Sequence, residues 1–349
     1  MSHFTLMVIG PETKEEIDAA LAPFDENMEV EPYRSYEKGD AEDYWFVRSV
    51  RRDAQHFREG TGLEEGDLRN PMWGKDPLTP DEKRAEYEEQ AELEKSFSTP
   101  ATWGEVASAY NAKYGDEDGD RLLVDDDGRA YTMSTYNPLS KWDWYEVGGR
   151  WAGYLRVKPG AETELNFSWG WKEVPEDERP GKGRADRAQL KDIDFEAWRK
   201  EYADAANAKY DQYEKFKAEH GMPPKWDHDE VDARIKAGES IDAIRKAYHS
   251  NPLVQLMKKE FEETLGWGAD LWREFGDFDR EVYVNRAVNR VAVCYATLNN
   301  GEWIAPGHMG MFGMSSDDED SSREYEARIS ELLDELEPET WITVMDLHI

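Results

Sequence analysis

Two short apolar runs near the two ends of the chain form its clearest pattern. His3 to Gly10 and Trp341 to Ile349 are dominated by β-branched and other apolar side chains, which predicts buried strands. Thr13 to Ala22 follows the first run and Ser322 to Leu336 precedes the second, and both carry apolar residues at helical spacing. The order strand–helix at one end and helix–strand at the other predicts that both strands lie in one sheet.

Other strands are predicted between these ends. Arg129 to Thr135 and Gly149 to Val157 have the character of strands. The Val- and Tyr-rich stretch from Arg280 to Leu298 is followed by the turn Asn299-Asn300-Gly301, which predicts a hairpin with Glu302 to Ala305 as the returning strand.

Residues 185–275 carry aromatic side chains at helical steps, which predicts a helical insertion or lobe. Taken with the strands, this pattern predicts a single α+β domain over residues 1–349. Its core is expected to be a two-layer sheet that contains both terminal strands, with the helical insertion packed on it.

The segment from Asn137 to Trp151 reads N-P-L-S-K-W-D-W-Y-E-V-G-G-R-W and is crowded with large aromatic side chains. Rigid aromatics beside a Gly-Gly turn and a planar guanidinium are typical of a pocket rim, although a core strand of bulky residues would give the same pattern. A Gly-Met loop at residues 307–314 is the candidate lid. The ligand-binding candidates are Trp142, Trp144, Tyr145, Arg150, Trp151 and His308.

His3-Phe4-Thr5 has the form H-x-T, and phosphoesterases of the two-histidine class use two H-x-[ST] elements on paired strands. Here only one such element occurs. His348 lies on the last strand, and Asp346 would point to the same face of the sheet. The weak catalytic candidates are therefore His3, Asp346 and His348. A metal-binding cluster and a plain polar sheet edge are the alternatives, and we predict neither a metal nor a cofactor.

The formal net charge of the 349 residues is −34. This charge disfavours direct binding to nucleic acid or to anionic membranes, and it is compatible with mimicry of a nucleic-acid backbone. The single cysteine, Cys294, excludes an intrachain disulfide and lies in an apolar run that predicts a buried thiol. No stretch reaches membrane-spanning length, so we expect a cytoplasmic protein.

Several other motifs are weak. The acidic run from Asp116 to Asp127 departs from a calcium loop, because Arg121 stands where that loop needs glycine. The basic spot Gly181-Lys182-Gly183-Arg184, with Arg150 and Arg187, could hold a phosphate, and a solvated turn is its alternative. The chain contains neither a P-loop nor a G-x-S-x-G motif.

Five blocks of sequence together resemble a family of uncharacterised bacteriophage accessory proteins. The blocks are the opening S-H-F-T, the segment N-P-L-S-K-W-D-W-Y-E-V-G-G-R-W, the stretch G-K-G-R-A-D-R-A-Q-L-K-D-I-D-F-E, the loop G-H-M-G-M-F-G-M and the ending D-L-H-I. They cover a minority of the chain. The resemblance implies a phage origin and an accessory, host-directed role, and it supplies no catalytic residues.

The leading expectation is a phage accessory protein that acts in the host cytoplasm, on host physiology or defence, by binding rather than by catalysis. Its ligand would be a small phosphorylated or nucleotide-like molecule held by the Trp-rich segment, because tryptophan stacks on such rings and arginine pairs with phosphate. A host defence protein is the other expected partner. The alternatives are an acidic DNA mimic that inhibits a host protein and a two-histidine phosphodiesterase.

Overall fold

The computed structural model describes residues 3–64, 77–115, 121–161, 163, 183–266, 268–276, 278–309 and 314–349. The contacts of the chain group into two compact units. The first unit comprises residues 1–25 and 139–349, and the second comprises residues 26–138. The acidic run at residues 116–120, the pair Gly181-Lys182 and residues 310–313 of the Gly-Met loop lie outside the described residues.

The described residues form eleven strands and eleven α-helices. The strands are β1 (His3–Gly10), β2 (Tyr33–Tyr36), β3 (Leu123–Val124), β4 (Ala130–Ser134), β5 (Trp144–Val147), β6 (Leu155–Arg156), β7 (Arg184–Ala185), β8 (Arg187–Gln189), β9 (Ala296–Asn299), β10 (Glu302–Ile304) and β11 (Trp341–His348). The helices are α1 (Lys14–Leu21), α2 (Trp45–Glu59), α3 (Pro80–Glu94), α4 (Trp103–Tyr114), α5 (Phe195–His220), α6 (His228–Lys236), α7 (Ile241–Ser250), α8 (Pro252–Leu265), α9 (Leu271–Glu274), α10 (Arg280–Asn289) and α11 (Glu319–Glu335).

The central sheet of the first unit contains both terminal strands, as predicted. β1 pairs with β11 in antiparallel register along its whole length and with β9 in parallel register on its other side. β10 extends this edge as an antiparallel hairpin with β9. The far edge of β11 is shared by two short strands, since β8 pairs with residues 341–343 and β5 pairs with residues 345–348.

Successive side chains of β1 point to opposite faces of the sheet, and each face packs against its own apolar core. Leu6 and Val8 face a cluster that includes Ile17 and Leu21 of α1, whereas Met7 faces a cluster formed with α11 and the start of α5. Helix α1 begins where predicted, because the Thr13 hydroxyl and the Glu16 carboxylate form a capping box. The α+β class is thus confirmed, and a helix on each face adds a layer to the two-layer arrangement expected from the sequence.

The predicted helical segment at residues 185–275 is mostly helical and continues into α10. Its core is aromatic: the rings of Tyr213 and Phe275 are stacked with centroids 4.4 Å apart. The prediction of a strand over Arg280 to Leu298 is wrong for the first half of this stretch, which forms α10. Asp279 caps this helix through the Val282 N–H. Tyr283 is the residue of this helix that is buried.

Two smaller differences concern neighbouring segments of the first unit. The stretch from Gly149 to Val157 begins as a 3-10 helix over Gly149–Trp151, and only Leu155–Arg156 is a strand. Cys294 is buried as predicted, and burial raises the pKa of its thiol to about 12.

The second unit has its own core and a three-stranded sheet in the order β2-β4-β3. Phe46, Val47 and Val50 of α2 pack against Val106 of α4 and the buried Leu122. Gly60 ends α2 in the left-handed conformation that glycine favours. Across the described ranges of both units, none of the helices combines the length and the apolar character that crossing a membrane requires.

Candidate functional site

The two terminal strands bring His3 and His348 together. In the antiparallel register of β1 and β11 these two residues lie directly opposite each other, so their side chains share one face of the sheet. Their ring centroids are 5.0 Å apart and the ring planes are inclined by 66°. Two imidazoles from opposite ends of the sequence are thus neighbours at the end of the strand pair, on the face of the sheet that carries α11.

Each histidine is held by a carboxylate of its own. His3 Nδ1 lies 2.7 Å from Asp346 Oδ1, and His348 Nδ1 lies 2.6 Å from Asp143 Oδ1. An ionised carboxylate can only accept a hydrogen bond, so in each pair Nδ1 carries the hydrogen. The Nε2 atoms of both rings are thus left for other partners. A histidine that is oriented through Nδ1 and transfers protons at Nε2 needs this tautomer.

Asp346 is the most buried member of the group, with a relative exposure of 1%. Its second oxygen, Oδ2, accepts a hydrogen bond from the backbone N–H of Arg150 at 3.0 Å. This contact depends on Gly149, whose φ is +55°: a Cβ atom there would lie 2.4 Å from the Cβ of Asp346. The Gly-Gly turn therefore has a structural reason, since only glycine brings the backbone this close to the carboxylate.

Trp144 completes the group from the neighbouring strand. It is the partner of His348 in the pairing of β5 with β11, and its ring centroid lies 6.2 Å from that of His3. The side chain is half-exposed, at 47%. The sequence predicted two separate candidate sites, one of tryptophans and one of histidines, and the structure joins them through this register.

Two of the predicted ligand-binding residues point the other way. Trp142 is buried and donates from Nε1 to the carbonyl oxygen of Leu21 at 3.3 Å. The Tyr145 hydroxyl donates to Asp18 on α1, and burial, followed by this carboxylate, raises the pKa of Tyr145. Both rings contact each other on the α1 face. Trp142 and Tyr145 therefore lie on the opposite face of the sheet from Trp144 and do not line the same site.

The remaining candidates are more scattered. Arg150 has an exposed side chain and reaches the histidine group through its backbone N–H. Trp151 is half-buried in the 3-10 helix that follows β5. His308 is exposed, and its backbone N–H donates to Ser316 Oγ at 2.9 Å. Arg187, expected in a basic spot, is buried and donates from Nε to Thr343 Oγ1 at 3.0 Å.

Sequence reasoning missed the role of Asp143. The residue stands in the Trp-rich segment, just before β5, and nothing local marks it as a partner of a histidine 205 positions away. Thr5 of the H-x-T element also has a role that its motif does not indicate, because its hydroxyl accepts the Tyr295 N–H at 2.9 Å and so ties β1 to the start of β9.

His348 Nε2 is buried and has no hydrogen-bond partner among the described residues. A buried imidazole nitrogen without a partner costs free energy, and such atoms are found where a ligand or a reaction uses them. Over the part of the chain that the structure describes, no group of three or more His, Cys, Asp and Glu side chains is placed to hold a metal ion. Two histidines held through Nδ1 can take up and release a proton at Nε2.

Comparison with known proteins gives no family for the chain: no protein-family model, curated protein or solved structure matches it.

Proposed function

We propose that the end of the central sheet, where His3 and His348 meet beside Trp144, is an acid–base site for cleavage of a phosphodiester. The observation that carries this proposal is the pair of histidines, each oriented by its own carboxylate and in contact with each other. Two such rings can divide the work of phosphodiester cleavage, because the reaction needs one proton removed and another supplied.

In the proposed reaction a hydroxyl oxygen, from the substrate or from water, attacks phosphorus while the Nε2 atom of one neutral imidazole takes its proton. The bond from phosphorus to the leaving oxygen breaks, and the second imidazole, protonated at Nε2, supplies the proton that this oxygen needs. Asp346 and Asp143 fix the ring orientations and stabilise the positive charge that each imidazole carries in turn. The two histidines exchange roles if the reaction runs backwards.

Trp144 supports a substrate that contains a nucleobase or another flat ring. Its half-exposed indole lies next to His3, and stacking on an aromatic side chain contributes about 1–3 kcal/mol per base. His348 Nε2 is shielded from water in this conformation. A substrate therefore has to displace the side chains that cover this atom.

The site departs from the two-histidine pattern in one respect. The first element is His3-Phe4-Thr5, but the second is Asp346-Leu347-His348, in which an aspartate replaces the hydroxyl residue and precedes the histidine. Because the strands are antiparallel, Thr5 lies opposite Asp346. The carboxylate of Asp346 thus orients His3, the histidine of the other strand.

The test is hydrolysis of bis(p-nitrophenyl) phosphate and of 2′,3′-cyclic nucleotides by the full chain. We expect His3→Asn and His348→Asn each to lower kcat by roughly 100-fold or more, the usual contribution of a general acid or base. His249→Asn is the matched control, since His249 is exposed on α7. Trp144→Ala should raise KM for the nucleotides more than for the nitrophenyl ester.

Activity that survives both histidine substitutions would refute the acid–base assignment. A chain that retains the cyclic nucleotide tightly, with Trp144 required for retention and no product formed, would instead support the binding function expected from the sequence. That second candidate is a phage accessory protein that sequesters a small phosphorylated or nucleotide-like ligand in the host cytoplasm, and the half-exposed Trp144 is the observation in its favour. The acidic-mimic alternative rests on composition alone and stays a prediction.

A further inference from the structure

A large cavity lies in the helical part of the first unit, among α5, α10, α11 and the segment around α9. Its volume is about 990 Å³, at the upper end of the range for small-molecule sites. None of the Trp-rich segment and none of the histidine group lines it. The walls include an exposed aromatic ring, Tyr202, and an unusual mixture of charged side chains.

Three of the seven carboxylates on the cavity wall form ion pairs with nearby arginines. Glu326 forms an ion pair with Arg290 at 3.0 Å, and Glu319 lies 3.8 Å from Arg273. Glu201 pairs with an arginine on β6. The charges of these two wall arginines are therefore offset by carboxylates of the same wall.

The other wall carboxylates accept hydrogen bonds from the protein. Asp270 and Asp318 cap α9 and α11 and accept backbone N–H groups. Asp317 accepts a serine hydroxyl at 2.8 Å, and Glu274 accepts a tyrosine hydroxyl at 2.6 Å. The positive ends of the helices partly offset the charges of the caps. All seven carboxylates on the wall thus have partners within the protein.

Two cations on the same wall have no such partner. Arg286 on α10 forms no ion pair with any described residue, its Nε is buried without a hydrogen-bond partner, and its guanidinium lies over the ring of Phe278 at 4.4 Å. Lys209 on α5 is half-buried and likewise forms no ion pair within the described ranges. Burial, and then the guanidinium groups of Arg323 and Arg290, lowers the pKa of Arg286, and the carboxylates of Glu319 and Glu326 offset part of this effect.

We propose that this cavity binds a phosphorylated small molecule, whose phosphate is held by Arg286 and Lys209 and whose ring or chain packs along Tyr202. Both cations line the cavity, and neither forms an ion pair with a described residue. The planar fork of arginine matches phosphate oxygens, and an ammonium adds a second positive charge. The site is separate from the histidine pair and does not depend on the function proposed for it.

The experiment is calorimetric titration of the full chain with inorganic pyrophosphate at low ionic strength. We expect one binding event per chain. Arg286→Met should raise the Kd roughly tenfold or more, because a hydrogen-bonded charge contact is lost. Lys209→Gln, at a half-buried position of α5, should raise the Kd roughly threefold.

Matched controls remove the same charges elsewhere. Arg234→Met removes an arginine of α6 that is paired with Glu239. Lys200→Gln removes an exposed lysine on the same helix as Lys209. Neither substitution should change the Kd for pyrophosphate. The proposal is overturned if pyrophosphate does not bind, or if all four variants bind it like the parent chain. Loss of binding in His348→Asn alone would place the anion at the histidine pair and would equally overturn it.

Discussion

The histidine group and the Arg286 cavity are two polar regions of the same unit, and they differ in how their charges are compensated. At the end of the central sheet the ionisable side chains hold one another, since Asp346 binds both His3 and the Arg150 backbone and Asp143 binds His348. In the cavity the carboxylates have ion-pair or hydrogen-bond partners within the protein. Arg286 differs, because its Nε atom is buried without a hydrogen-bond partner and the side chain forms no ion pair with a described residue.

This difference separates two ways of building a site. A group of mutually bonded ionisable residues is rigid before any ligand arrives, which suits chemistry that depends on the placement of protons. A partly buried cation without an ion pair costs free energy until an anion reaches it, which suits binding. Substitutions should therefore destabilise the fold at the first region and be close to neutral at the second.

The largest effect is expected for Asp346→Ala. The substitution leaves the His3 imidazole and the Arg150 N–H without their acceptor in a partly buried place. We expect the free energy of unfolding in urea to fall by about 3 kcal/mol. Asp346→Asn, which keeps an oxygen acceptor of the same shape, is the control and should lose less. Equal stability of the alanine variant and the parent would show that the pairs are not structural.

A smaller decrease in the free energy of unfolding is expected for Gly149→Ala. The new Cβ would lie 2.4 Å from that of Asp346, and φ at this position is +55°, so the variant combines a clash with backbone strain. Gly160→Ala is the matched control, because its φ is +81° and nothing lies within 4 Å of the added Cβ. We expect the control to lose about 1 kcal/mol and Gly149→Ala to lose about 2–3 kcal/mol.

If the two glycine variants melt alike in calorimetry, the close approach to Asp346 contributes nothing to stability and the reason given for the Gly-Gly turn is wrong. If Gly149→Ala is also inactive on phosphodiesters while Gly160→Ala is active, the position of the Arg150 N–H is part of the site.

The first and last elements of the chain could be predicted from the sequence because their signals are local. Thr13 supplies a helix cap, and the apolar runs at both ends specify buried strands. The pairing of β1 with β11 follows from the need of a buried strand for neighbours on both sides. With that pairing, His3, Asp346 and His348 fall on one face, and this part of the site was within reach of sequence reasoning.

The rest of the site depends on contacts that no local pattern encodes. The place of β5 beside the second half of β11 determines that Trp144 joins the histidines and that Trp142 does not. Asp143 becomes a histidine partner by the same register. The cavity is built by side chains from helices far apart in sequence, and an unpaired cation such as Arg286 can be recognised only when its surroundings are known.

The smallest effect, and the one that tests the comparison most directly, is expected for Arg286→Met. The pKa of Arg286 is lowered in the folded chain, so the folded state holds this proton less well than the unfolded state, and the charged side chain opposes folding. Methionine removes that cost, keeps an apolar stem over Phe278, and gives up a cation–π contact of about 0.5–1 kcal/mol. The net change in the free energy of unfolding should lie within about 1 kcal/mol of zero. A loss as large as that of Asp346→Ala would mean that Arg286 is a structural residue whose partner lies within the protein, and the contrast between the two regions would disappear.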